Sequence, residues 1–249
     1  MLPQASARAG LSRDRCGEES ETLGRKADVV GAIGVTAIAT GLYATLGREW
    51  VRRWGATEDE QERQLPGDDL IQKAVYESTH AIVIDAPPSA VWPWLVQMGQ
   101  GRGGFYSYDW VERLGGLDIE SADEVIPELQ SLGEGAIVRL APNTALLAAV
   151  VDPPHAFVLR AIRDVETKEP PAPSDPGYFN WSWAFVIEPE EQDRSRLIIR
   201  LRADTAQTPP FNILGPVVWE PLHLLMERKM LRGIRDRAER TGEPVVSPA

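Results

Sequence analysis

The sequence predicts an α+β domain in which a curved antiparallel sheet of about six strands closes round a long C-terminal helix, with a further hydrophobic helix near the N-terminus. Three observations carry this. One strand-like segment and two helical ones are followed by five strand-like segments in a row, separated by Pro, Gly and Asp clusters, which is the pattern of a meander. From Glu220 to Arg240 the chain reads as one amphipathic helix, with Pro221 in its first turn. The strands alternate: Trp181, Trp183, Phe185 and Ile187 share a face, as do Leu197, Ile199 and Leu201, while Arg196, Arg200 and Arg202 point the other way. The helix covers the apolar face, and the opposite face is expected to be wet.

Residues 1–27 are rich in Arg, Glu, Ser and Gly, show no apolar period and read as disordered. They hold Cys16, the single cysteine, so no intramolecular disulfide is possible. The run Val29–Gly47 (VVGAIGVTAIATGLYATLG) has no charged residue and is about long enough to span a bilayer. Gly34, Ala37, Gly41 and Ala44 form a small-residue stripe, and Arg48, Trp50, Arg52 and Arg53 follow as an interfacial anchor would. Residues 28–47 are read first as a transmembrane helix. A helix packed on the soluble domain and a cleaved signal peptide are the alternatives, the last opposed by Glu18, Glu19 and Glu21 upstream. Basic residues flank both ends, which leaves the orientation open. The expected location is a membrane, by a single pass; the alternative is cytoplasmic.

Residues 48–70, polar and broken at Pro66-Gly67, read as a linker, and 71–240 as the folded domain, followed by a tail over 241–249. Tyr76–Ile84 is the first strand. Asp85 with Pro87 and Pro88 reads as a helix start, with helix one running to about Met98 and Pro93 set to kink it. A turn with Gly99, Gly101, Gly103 and Gly104 leads to helix two, Phe105–Leu114. The remaining strands fall over Ala136–Leu140, Leu146–Val151, Phe157–Arg163, Trp181–Ile187 and Leu197–Arg202, with a long hairpin loop at Pro170–Gly177.

The composition, 43% hydrophobic and 25% charged over 249 residues, is that of a folded globular protein. A net charge of −11 and the lack of a basic stripe argue against a nucleic-acid partner. Three histidines without ligand spacing, no Cys-x-x-Cys and no His-Glu-x-x-His leave no predicted metal site.

The runs GFYSYDWVERLGG (Gly104–Gly116), ADEVIPELQSLGEG (Ala122–Gly135) and MERKMLRGIRDRAE (Met226–Glu239) resemble a bacterial, membrane-anchored branch of the SRPBCC superfamily, which includes START-like lipid-transfer domains and polyketide cyclases. The resemblance spans about 170 residues, roughly Ile71 to Glu239. It implies a helix-grip fold with a deep apolar cavity between sheet and last helix. It implies no particular ligand or reaction.

Gly99, Gly101 and Gly104 fit G-x-G-x-x-G, but a helix precedes them where a dinucleotide site needs a strand, so no cofactor is expected and a glycine hinge is the plainer reading. An anion near Arg102 at the start of helix two is a minor option. Tyr106, Trp110 and Leu114 share one face of helix two, as core or as a pocket wall in which the Tyr hydroxyl meets the ligand. Asp109 between them is either a buried acid, making Asp109 and Tyr106 weak catalytic candidates, or an exposed or Arg-paired carboxylate. Trp181, Trp183 and Phe185 on the sheet and Trp219, Leu222, Met226 and Met230 on the last helix are the predicted ligand-binding residues, with a filled core as the alternative. Gly233 interrupts a good helix and is attributed to close approach of that helix to the sheet. His80, His155 and His223 read as structural or exposed. The function expected first is binding or carriage of a hydrophobic small molecule, lipid or polyketide-like, at a membrane through residues 29–47. A cyclase or dehydratase on a polyketide-like substrate, and an interaction protein with a closed cavity, are the alternatives.

Overall fold

The computed structural model describes residues 41, 43, 47–108, 120–206 and 215–242. The chain divides into Met1–Gly47 and Arg48–Ala249, and the fold belongs to the second unit. The predicted N-terminal hydrophobic helix lies almost wholly outside the described residues; among these, no helix is long and apolar enough to cross a membrane.

Six strands form one antiparallel sheet: β1 (Tyr76–Ile84), β2 (Ile137–Ala141), β3 (Thr144–Asp152), β4 (Ala156–Ala161), β5 (Phe179–Glu190) and β6 (Arg194–Thr205). Their order is β1-β6-β5-β4-β3-β2, so the last five run as a meander and β1 closes against β6. Among the described residues four α-helices accompany them: α1 (Arg48–Arg52), α2 (Glu58–Glu62), α3 (Pro88–Val96) and α4 (Glu220–Gly242). This is the helix-grip arrangement, with α4 gripped by the sheet. The register sets Trp183 opposite Leu201, Phe185 opposite Ile199 and Ile187 opposite Leu197, and sets His80 opposite Ile199. Side chains directly opposite share a face, so the inner face is apolar with one histidine in it. Against that face α4 buries Met230, Leu231, Ile234 and Ala238, and α3 buries Val91, Trp94 and Leu95.

Several local expectations are corrected. Helix α3 starts at Pro88 with Pro87 as its N-cap, so Asp85 does not cap it. Instead the Asp85 amide donates to Glu239 at 3.0 Å. The predicted helix two does not begin at Phe105: Phe105–Tyr108 is non-helical and Tyr106 has a φ of 57°. The glycine turn before it closes on itself, with Gly99 and Gly104 bridged, and the Arg102 guanidinium is committed to the carbonyls of Val96 and Leu129 at 2.9 and 3.1 Å. Neither a dinucleotide fingerprint nor a helix N-terminus for an anion is formed there.

The outer face of the sheet is not left wet. Residues 48–70, expected as a free linker, lie across it. Leu65 and Ala56 pack on Ala81, Val186 and Ile198. The reason is Arg200, which points outward as predicted but is only 2% exposed. Its guanidinium pairs with Asp68 at 2.6 Å, donates to Thr79 Oγ1 at 3.0 Å and caps the Arg63 and Gln61 carbonyls at 2.9 and 3.0 Å. A charge this buried is tolerated because its donors are met. Arg196 binds Glu60 at 2.7 Å, and Glu60 also closes a capping box with Thr57 at the start of α2. Gly55 and Gly67 both have positive φ, and a Cβ on Gly55 would meet the Ala81 carbonyl oxygen at 2.1 Å. The strap passes too close to the sheet for any side chain there.

Candidate functional site

A cavity of about 390 Å³ lies between the inner face of the sheet and α4. Its sheet wall is Phe179, Trp181 and Trp183 of β5, Leu201 of β6, and Leu140 and Ala141 at the end of β2. Its helix wall is Trp219, His223, Met226, Glu227 and Met230, completed by Phe105 and Ser107 of the loop before residue 109. The spacing explains the helix wall: residues three and four apart share a helix face. The same turns place Leu222 and Leu225 on the neighbouring, solvent side, 47% and 50% exposed.

Of the predicted ligand-binding residues, Trp181, Trp183, Trp219, Met226 and Met230 therefore line the cavity. Leu222 does not. Phe185 lies one layer deeper, fully buried, packed between Phe157 and Trp183 with ring centroids at 6.1 and 4.7 Å. Tyr106 is also core. Its hydroxyl donates to the Trp94 carbonyl at 3.0 Å, its ring meets Trp94 edge-on and the Arg237 guanidinium lies over it at 4.8 Å. Burial raises its pKa far above the ordinary phenol value. It presents nothing to a guest. Asp109, Trp110 and Leu114 fall outside the described residues.

The cavity wall also carries a polar cluster, built on two histidines that in the sequence read as structural or exposed. His80 of β1 and His223 of α4 flank Glu227, which is buried. Glu227 Oε2 bonds His80 Nδ1, and Oε1 accepts from Trp183 Nε1 at 2.9 Å. His80 Nε2 lies 2.8 Å from the Val51 carbonyl oxygen of α1. A carbonyl only accepts, so Nε2 carries a proton. With Nδ1 facing a carboxylate, the ring is an imidazolium paired to Glu227. The electrostatics agree. Burial works against the His80 cation, but the charge and hydrogen bond of Glu227, with the Val51 carbonyl, hold it above the ordinary histidine range. Burial likewise works against the Glu227 anion, and at the low pH where that carboxyl would take a proton the imidazolium forms of His223 and His80, with hydrogen bonds from His80 and Trp183, hold it below the usual carboxylate range.

His223 differs. Its Nε2 is 3.6 Å from Glu227 Oε2, beyond a hydrogen bond, and has no hydrogen-bond partner among the described residues. Its ring stacks on Trp219 with a centroid distance of 5.0 Å. Burial, with the neighbouring His80 charge, lowers its pKa against the pull of Glu227, so His223 stays neutral. At the outer end of α4, Glu220 is buried and receives Arg48 at 2.9 Å and Arg52 at 2.7 Å. Burial opposes that carboxylate too, and the two guanidiniums keep it ionised. Arg228 lies over Trp54 at 4.6 Å. These contacts tie α1 and the residues just after it to α4, and the His80–Val51 bond ties α1 to β1. His155, in the turn after Pro154, is exposed as expected. Among the described residues no group of His, Cys, Asp and Glu is arranged to hold a metal ion.

The fold and site define a helix-grip domain with an apolar, aromatic-walled cavity and a His–Glu–His cluster of which His223 and Glu227 reach the wall while His80 is sealed behind it. No family model matches the sequence, and no curated protein matches it. Solved structures give remote likenesses. Zhui aromatase/cyclase from Streptomyces sp. R1128 is 13% identical, with 70% of this chain and 99% of that one covered, at a TM-score of 0.39. A norcoclaurine synthase point mutant from Thalictrum flavum, solved with a transition-state analogue, is 15% identical over 69% and 99%, at 0.38. CalU16 from Micromonospora echinospora is 16% identical over 66% and 84%, at 0.30. The helix-grip arrangement itself is seen in the strand order, register and helix placement of this chain.

Proposed function

We propose that this protein binds and carries an apolar small molecule, lipid-like or polyketide-like, in the cavity between sheet and α4, and does so at a membrane. The observation that carries the reading is the cavity wall: about 390 Å³ enclosed largely by Trp, Phe, Leu and Met side chains, within the size range of small-molecule sites. Burial of apolar ligand surface would drive binding at about 25 cal/mol per Å², less the ordering costs of association. Met226 and Met230 adapt to varied apolar shapes. The resemblance to the SRPBCC superfamily supports the same reading.

The membrane part is supported by the uncharged run Val29–Gly47, followed three residues on by the exposed Trp50. A cyclase or dehydratase is the second reading. It needs a titratable group on the cavity wall, and His223 with Glu227 supplies one where Tyr106 does not.

The test is native mass spectrometry of the full chain purified from membranes, followed by solvent extraction. A reproducible apolar molecule, released at one per protein and displaced by 1-anilinonaphthalene-8-sulfonate, is the expected result. No such molecule, together with no binding of that probe, overturns carriage.

A further inference from the structure

We infer that His223 is a general base at the cavity wall, oriented by Glu227, and that the guest it acts on is a carbon acid: an apolar compound with a proton α to a carbonyl. The inference deepens the binding reading and rests on it.

Three observations carry it. First, His223 and Glu227 both line the cavity, whereas His80, the other histidine of the cluster, is sealed behind them. Second, the His80–Glu227 pair is internally balanced, one cation against one anion, so His223 adds a neutral imidazole to a neutralised site. Third, the tautomer follows from geometry. A lone pair on Nε2 would face the carboxylate oxygen 3.6 Å away, so the proton sits on Nε2. Nδ1, on the other edge of the ring, keeps its lone pair. When Nδ1 takes a proton, the new imidazolium charge meets the Glu227 carboxylate that its Nε2–H already faces at 3.6 Å. This is the nucleophile–base–carboxylate logic with the substrate carbon acid in place of the nucleophile. Charged groups facing His223 are Glu227 and Glu220 on its own helix and His80 on β1, and Glu220 is already met by Arg48 and Arg52 of α1. The Trp219 ring fixes the imidazole plane. The depressed pKa of His223 agrees with a base that is free near neutral pH.

In the step, the substrate C–H bond breaks and Nδ1–H forms. The electron pair delocalises onto the carbonyl oxygen as an enolate. Return of the same proton to another carbon, or to the oxygen, completes an isomerisation with no net gain or loss of atoms or electrons. His223 is the catalytic residue; Glu227 is a positioning residue.

The test uses 5-nitrobenzisoxazole, an apolar carbon acid whose C3 proton is taken by any suitably placed base. The ring N–O bond then breaks, and the pair leaves as a coloured 2-cyano-4-nitrophenolate. Full-length protein is followed by absorbance at several pH values, and probe binding by quenching of tryptophan fluorescence. The expected result is saturable acceleration over imidazole buffer, with a base limb midpoint below 6.5, the ordinary histidine value. His223→Gln should lose about 100-fold, the scale of one positioned base, while still quenching, and the exposed His155→Gln should lose nothing. Glu227→Gln should move the midpoint to lower pH, because the imidazolium loses its carboxylate. Quenching with no acceleration, or equal rates in wild type and His223→Gln, overturns the inference and leaves the binding reading intact. No quenching overturns both.

Discussion

His80 on the first strand and Glu227 on the last helix form an ion pair sealed from solvent, their side chains 1% and 2% exposed. The pair joins the two ends of the folded unit across 147 residues, and it leaves the Nε2 of the neighbouring His223 at the cavity wall without a hydrogen-bond partner among the described residues. Stability and chemistry therefore share one carboxylate. Glu227 fixes where α4 sits against β1 and also sets the field in which a guest would meet His223.

The pH dependence of stability follows with a definite sign. His80 is raised above its ordinary 6.5, so its contribution is fully present below 6.5 and fades as pH rises through the folded value. Glu227 is depressed below 4.5, so its contribution is present above 4.5 and is lost as pH falls through its folded value. His223 is depressed, and its contribution is lost as pH falls below 6.5. Glu227→Gln strands the His80 cation. It should cost about 3–5 kcal/mol at pH 5, the scale of a broken buried pair, and less above pH 7, where His80 can shed its proton. Tm across that range for both proteins is the measurement. A difference that does not vary with pH would mean the pair is not ionised.

The outer strap makes a separate prediction. Arg200→Ala removes the cation that Asp68 faces and frees carbonyls of residues 61 and 63. The expected loss is about 3–5 kcal/mol in urea denaturation, with faster proteolysis within residues 48–70. Arg194→Ala, whose guanidinium sits 39% exposed near Glu190, should cost less than about 1 kcal/mol. Equal small losses would mean that the strap is not held by Arg200.

Much of this fold was legible because period two and period 3.6 are written plainly in the chain. Trp181, Trp183 and Phe185 alternate, the β-rich run Tyr76–Ile84 coincides with β1, and Trp219, Met226 and Met230 fall on one helical face. The same patterns contained the polar cluster. In YESTHAIVI, His80 shares a face with Tyr76 and Ile84, both buried, and Glu227 lies four residues after His223 within the apolar stripe. A carboxylate and a histidine on the buried faces of two elements are the available signal, and neither histidine shows it alone. What the sequence did not disclose was depth. Alternation puts Phe185 on the cavity face but does not tell a wall residue from one a layer below. Composition makes residues 48–70 look like linker because their charges, Glu60, Arg63 and Asp68, are matched only in three dimensions. Tyr106 reads as helical because Trp110 and Leu114 follow it at helical spacing in the sequence, yet it occupies a left-handed turn beneath α4.

Filling the cavity should abolish binding without unfolding the protein. Ala141 lies at the end of β2, on the cavity wall and beside an irregularity in the β2–β3 register. Ala141→Trp projects an indole into space that is already empty, so the overpacking cost of about 1–3 kcal/mol is largely avoided. Tm should change by no more than a few degrees, while affinity for 1-anilinonaphthalene-8-sulfonate falls at least about tenfold, a loss of ~1.4 kcal/mol. Undiminished affinity would place the probe elsewhere.

Gly233→Ala reverses the usual sign of a helix substitution. In an open helix the change should stabilise by about 1 kcal/mol, because alanine is the better helix former. At this position a Cβ would lie 2.4 Å from the Tyr106 carbonyl oxygen and 2.8 Å from its Cβ. The neighbour is the Tyr106 turn, not the sheet as the sequence reading supposed. That turn cannot retreat, since the Tyr106 hydroxyl is held by Trp94, its amide by Ser121 Oγ at 3.0 Å and its ring by Arg237. The helix must move instead, and α4 carries His223, Glu227 and Met230 with it. The substitution should therefore destabilise by about 1–3 kcal/mol and should also weaken probe binding, although residue 233 does not line the cavity. Chemical denaturation and the probe titration on the same sample separate the outcomes: a stabilised protein would show that the contact between helix and turn is looser than 2.4 Å implies.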